Sequence, residues 1–261
     1  MESLLKRRLK RPGRALCILF FLVFSPGLQG SAWAEDLLMY CGAGLRQPID
    51  ELLASYEKET GTKVVVEFGG SGQLLARFKA ARKGDVFLPG SHFYIDKLKE
   101  DGQVLFSRPV VLHTPVVAVN KRMSGEVKTF ADLAKPGLRV GLGDPKAMAL
   151  GRTAEDILEN SGLKEEILKN TVARAATVKQ LTLYVVKGDV AAAIIARADA
   201  FQNRGELVFF EIDPSWYTPE IVTVAALKTA SDPDAAGRLA EYLGSPQAVE
   251  TFGKYGFLRA R

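Results

Sequence analysis

The sequence predicts an α/β molecule of two lobes, each a mainly parallel sheet flanked by helices, with a two-strand hinge between them. Three observations lead there. Strand-like apolar runs alternate with amphipathic stretches of helical period, as in parallel strands linked by helical crossovers. That alternation stops at Arg108 and begins afresh after Lys121. Two β-branched segments, "RPVVLHTPVVAVNK" (108–121) and "YTPEIVTVAAL" (217–227), bracket the second series, so the chain crosses twice between the units.

Taken in order, "LLMYC" (37–41) is an apolar run of strand length, and "PIDELLASYEKETG" (48–61) is a helix with Pro48 in its first turn and Gly61 past its end, both boundary signals. "KVVVEFG" (63–69) is a strand, "QLLARFKAARK" (73–83) a helix, "DVFLPG" (85–90) a strand and "HFYIDKLKEDG" (92–102) a helix. In the second unit "TFADLAKPG" is a short helix, "LRVGLGDP" a strand, "ALGRTAEDILENSG" and "VKQLTLYVVKGD" helices, and "VAAAIIARADA" a strand of small residues. Helices "PDAAGRLAEYLG" and "SPQAVETFGKYGF" close the chain. The lobes are expected at 35–114 with 222–261, and at 115–221.

The first 34 residues read differently. "KRRLKRPGR" precedes the apolar "ALCILFFLVF" and a small-residue site at Ala32-Trp33-Ala34, the pattern of a secretory signal peptide cut near Ala34. Ten apolar residues are too few to span a bilayer, which takes ~20. The leader carries six of the 35 basic and one of the 30 acidic residues, leaving 29 of each. The net charge of +5 therefore belongs to the precursor, and nucleic-acid affinity is not expected. Cys41 alone of the two cysteines lies beyond the leader, so stability rests on core burial.

"FGGSGQLLAR" (68–77) places glycines and Ser71 between a strand and a helix. A nucleophile elbow needs G-x-S-x-G, and Gln73 stands where the second glycine belongs. The dinucleotide pattern fails at Leu75, and a phosphate loop is absent. Two readings remain. Exposed helix amides, glycines and a hydroxyl suit an anion; alternatively Ser71 only caps its own helix. Two further glycine-containing turns, "GAGLRQP" after the first strand and "DPKAMALGR" in the second unit, favour the anion. Ligands of open α/β sheets bind beyond strand carboxyl ends, and here both lobes direct such ends at one cleft.

The series "FGGSGQLLAR", "GDVFLPGSHFYIDKLKEDG", "GLGDPKAMALGRTAEDIL", "VKQLTLYVVKGDVAAAIIARADA" and "SPQAVETFGKYGF" resembles the periplasmic molybdate-binding proteins, substrate-binding components of ABC importers. The resemblance implies a type II periplasmic-binding-protein fold, a periplasmic monomer with no enzymatic activity and no cofactor, and capture of molybdate or tungstate for an ABC permease in the inner membrane. Residue by residue it points to Ala43 and Gly44, with Gly44 where the family has a serine; to Gly70, Ser71 and Gly72; to Ala149, Leu150 and Gly151; to Val178 as a backbone donor; and to Ala196 where the family has a tyrosine. Two hydroxyl donors are thus missing, each worth roughly 1.5–3 kcal/mol to an ion if nothing replaces it. Another oxyanion, a small carboxylate, a ferric ion bound by Tyr40, Tyr184 or Tyr217, and a ligand-sensing adaptor stay open as alternatives. His92 and His113 are too few for a metal motif and read as surface or packing residues, and Cys41 as core.

Overall fold

The computed structural model describes residues 36–260, and the leader expected over 1–34 lies outside them. The chain runs β1 (Leu37–Gly42), α1 (Arg46–Thr60), β2 (Val64–Gly69), α2 (Ser71–Ala81), β3 (Val86–Leu88), α3 (His92–Glu100) and β4 (Val104–His113). It continues through β5 (Pro115–Asn120), β6 (Val140–Gly143), α4 (Ala149–Ser161), α5 (Lys164–Lys169), β7 (Thr171–Ala175), α6 (Val178–Lys187), β8 (Ala192–Ala196), α7 (Arg197–Gln202) and β9 (Leu207–Glu211). β10 (Glu220–Leu227), α8 (Pro233–Leu243), α9 (Pro246–Lys254) and β11 (Leu258–Arg259) complete it.

Two sheets result, a six-stranded one ordered β11-β4-β10-β3-β1-β2 and a five-stranded one ordered β7-β6-β8-β5-β9. This is the two-lobed α/β fold. Each sheet is mixed. β1 lies parallel to β2 and β3, and β6 parallel to β7 and β8. The strands next to the crossovers, β4, β5 and β10, pair antiparallel with their neighbours. Only Thr114 separates β4 from β5, and residues 212–219 lead from β9 into β10.

Burial on both sheet faces explains the unbroken apolar runs. Successive side chains of β5 point to opposite faces: Val117 and Val119 pack with Ile157 and Leu158 of α4, and Val116 and Ala118 with Leu181 and Val185 of α6. In the six-stranded lobe Met39 and Cys41 pack with Ile49 of α1 and Leu239 of α8, while Tyr40 faces Phe78 of α2 and Ile95 of α3. Each fully buried Leu or Ile contributes about 1.5–3 kcal/mol relative to exposure.

Three strands escape the sequence reading. β7 and β9 carry few consecutive buried residues, and β11 has two residues. The stretch expected as a helix around 129–137 is a 3₁₀ segment, Phe130–Ala134. Among the described residues no helix is long and apolar enough to cross a membrane.

Candidate functional site in the interlobe cleft

Four strands end at the seam between the lobes, and a helical turn starts after each. β1 leads through a 3₁₀ turn (Ala43–Leu45) into α1, β2 through Gly70 into α2, β6 through residues 144–148 into α4, and β7 through Ala176 and Thr177 into α6. The first amides of such helices have no intrahelical acceptor and form the positive end of the dipole. Ser71, Ala149 and Val178, the first residues of α2, α4 and α6, line one cleft together with Ala43, Gly44 and Gly70. Its enclosed room is about 20 Å³, space for about one water molecule, within a cleft of about 310 Å³ counting its mouth.

Ser71 does not cap its helix. Gly70 is the N-cap residue, and its N–H donates to Gln73 Oε1 at 3.4 Å. The buried Ser71 Oγ instead accepts from the Gly90 N–H at 3.0 Å, so its own O–H remains available as a donor.

Glycine at positions 70 and 72 is required by the approach of the lobes. A Cβ on Gly70 would lie closer than 3.0 Å to the carbonyl oxygens of Ala147 and Ala176, and one on Gly72 closer than 3.0 Å to that of Lys146. The Gly72 N–H donates to Ala147 O at 3.0 Å, joining the lobes. The Gly151 N–H likewise goes to Met148 O at 3.0 Å. Leu150 is fully buried among Val178, Ile195 and Ala196, and Ala196 pairs with Pro115 in the sheet. The structure therefore gathers Ala43, Gly44, Gly70, Ser71, Ala149 and Val178 around the cleft and leaves Gly72, Leu150, Gly151 and Ala196 outside its lining. At Gly44 a Cβ would stand 2.6 Å from Val178 Cγ1, so Val178 fills the space that a serine side chain would need.

Sequence reasoning missed His113 and Asp199. His113 ends β4 and lines the cleft, 5% exposed. Its Nδ1 lies 3.1 Å from Gly90 O, and its Nε2 has no hydrogen-bond partner among the described residues. Burial lowers its pKa to about 4, against a smaller raising effect of the Gly90 hydrogen bond, so the ring is neutral near pH 7. Asp199, in the first turn of α7, is fully buried. Lys179 Nζ lies 2.8 Å from Oδ1, an ion pair by distance without the alignment of a hydrogen bond. Burial pushes the Asp199 carboxyl above its ordinary range, and Lys179 pulls the other way.

A polar seam beside the cleft ties the lobes together. Glu220, the first residue of β10, accepts from Ser91 Oγ before α3 and from Thr153 Oγ1 of α4 at 3.3 Å. Arg152 Nη2 lies 3.6 Å from Glu220 Oε1, and its guanidinium stacks 3.6 Å from the centre of the Phe93 ring. One carboxylate thus holds residues of both lobes at a crossover.

A roomier cavity, about 470 Å³, lies in the second lobe. Its charged side chains, Arg122, Glu126, Lys135, Arg139 and Lys187, are exposed, and water screens such charges. The cleft differs in having buried polar atoms aimed inward. No group of three His, Cys, Asp or Glu side chains able to hold a metal ion occurs among the described residues. Cys41 is core, its thiol pKa raised by burial. Tyr40 donates to Lys83 O at 3.1 Å, and Tyr40, Tyr184 and Tyr217 all lie outside the cleft lining.

Two hinged lobes with helix amino termini directed at the cleft between them define a two-lobed solute-binding protein. The chain belongs to the bacterial extracellular solute-binding protein family, which matches residues 37–258. It is 42% identical over 231 residues to a Haemophilus influenzae protein whose name specifies binding without a ligand, covering 88% of this chain and 94% of that one. Identity to the molybdate-binding protein ModA of Azotobacter vinelandii is 25% over 232 residues, covering 87% and 91%. A solved Azotobacter vinelandii periplasmic molybdate-binding protein superposes with a TM-score of 0.77 at 20% identity, covering 87% of this chain and all of that one.

Proposed function

We propose that this protein captures a tetrahedral oxyanion, molybdate or tungstate first, between its lobes and delivers it to an ABC permease. The observation that carries the reading is the convergence of Ser71, Ala149 and Val178, three helix starts from both lobes, with the Ser71 hydroxyl on one cleft. Oriented N–H groups stabilise a dianion without a lysine or arginine cage. An anion of four oxygens takes more room than one water, so the lobes open about the two crossovers to admit it and close around it. The ligand then bridges donors of both lobes and favours the closed arrangement. The molybdate-binding relatives support the choice of anion. Capture is extracytoplasmic, by a monomer freed of its leader, and involves no turnover.

A thermal-shift screen of the purified protein against molybdate, tungstate, sulfate, phosphate and chromate tests the reading. Molybdate or tungstate raises the melting temperature, with stabilisation growing as the logarithm of ligand over Kd. A bulky residue at Ser71 abolishes that shift while the protein stays folded. Absence of any shift from all five anions refutes the oxyanion reading, and a shift from another anion alone refutes molybdate.

A further inference from the structure

The cleft wall contains an acceptor where a dianion needs a donor. A carbonyl oxygen can only accept, so the contact from His113 Nδ1 to Gly90 O at 3.1 Å places the proton of the neutral ring on Nδ1. Nε2 is then a bare lone pair, buried and without a partner among the described residues. It faces the Gly44 turn: the Cβ position of Gly44 is 3.9 Å from Nε2 and 3.5 Å from Asp199 Oδ2, a second buried atom to which nothing described donates. Molybdate, tungstate and sulfate at neutral pH offer acceptors only. Acceptor against acceptor is repulsive.

Resting on the oxyanion reading above, we infer that His113 is a ligand-contacting residue and that capture of a proton-free dianion takes up one proton at its Nε2. With that proton the imidazolium donates Nδ1–H to Gly90 O and Nε2–H to a ligand oxygen. The remaining charged groups around the ring are already engaged. Asp199 of α7 is neutralised by Lys179 of α6. Glu220, opposite His113 in the sheet, is held by Ser91, Thr153 and Arg152. The Phe257 ring, 6.2 Å away centre to centre, adds no charge. The dianion is therefore the new charge that draws the proton onto the ring.

Calorimetric titration with molybdate, run in two buffers of different ionisation enthalpy between about pH 5.5 and 7.5, tests this. The expected result is uptake of one proton and a Kd that rises about tenfold per pH unit. In His113→Gln, whose amide donates without titrating, Kd becomes independent of pH and proton uptake disappears, while molybdate still raises the melting temperature. A flat profile in the parent protein, or unchanged uptake in His113→Gln, overturns the inference and leaves the oxyanion reading standing. No binding of molybdate, tungstate, sulfate, phosphate or chromate by the parent protein removes both.

Discussion

Closure of the lobes has one point at which a single methyl group decides the outcome. In Gly72→Ala the new Cβ lies closer than 3.0 Å to Lys146 O, with Lys146 C at 3.2 Å and Ala147 Cα at 3.3 Å. All three atoms are main chain, so no rotamer relieves the contact and the lobes must part by about 1 Å or more to restore ordinary separations. The Gly72 N–H to Ala147 O bond of 3.0 Å then breaks, a loss of about 0.5–1.5 kcal/mol. The polar seam at Glu220 loosens with it. Together these weaken the closed state by about 1–3 kcal/mol, or about 5- to 150-fold in affinity for a ligand that needs closure. Alanine favours a helix over glycine by about 0.8–1 kcal/mol, so α2 itself is not destabilised. Calorimetric titration measures the affinity, using the anion that stabilises the parent protein most, and small-angle scattering measures the lobe separation. Parent-like affinity in Gly72→Ala refutes closure at this seam.

Glu220→Ala strips the acceptor from Ser91 and Thr153 and leaves the half-buried Arg152 on Phe93 without its counter-charge. It lowers unfolding stability by about 1–3 kcal/mol in urea titration; unchanged stability refutes the structural role given to the seam. His113 also makes stability depend on pH. Its folded pKa of about 4 lies below the ordinary 6.5, so below pH 6.5 the unfolded chain binds a proton that the buried ring refuses. Stability therefore rises with pH between these values, and about 2 kcal/mol is missing at pH 5 relative to neutral pH. Asp199, with its pKa raised, acts in the opposite sense, gaining favour as pH falls. The difference between the parent and His113→Gln isolates the histidine, and parallel pH curves for the two refute its assignment.

The two-lobed architecture was legible because buried strands and amphipathic helices differ in period, and because two long β-branched segments interrupt the alternation. The Ser71 loop was legible as a candidate because glycines between a strand and a helix imply close approach. Its role was not: only the placement of Gly90 shows that Ser71 Oγ accepts a hydrogen bond there and is not a cap. Gly72 shows the same limit from the other side. Its amide looked available to a ligand in the sequence and is engaged by a carbonyl 75 residues further on.

Local pattern fixes which segments are strands, helices and turns, since backbone propensity and side-chain period act over a few residues. It therefore determined the α/β class, the order of most elements and the loops at the seam, while the short or little-buried strands β7, β9 and β11 escaped it. Distances between residues remote in the chain depend on how the lobes pack. His113 and Asp199 lie 86 positions apart in the sequence and meet at Gly44 only through β4, α7 and the β1 turn. The burial that leaves His113 Nε2 and Asp199 Oδ2 without a hydrogen-bond partner among the described residues, and shifts the pKa of both groups, belongs to the tertiary structure alone.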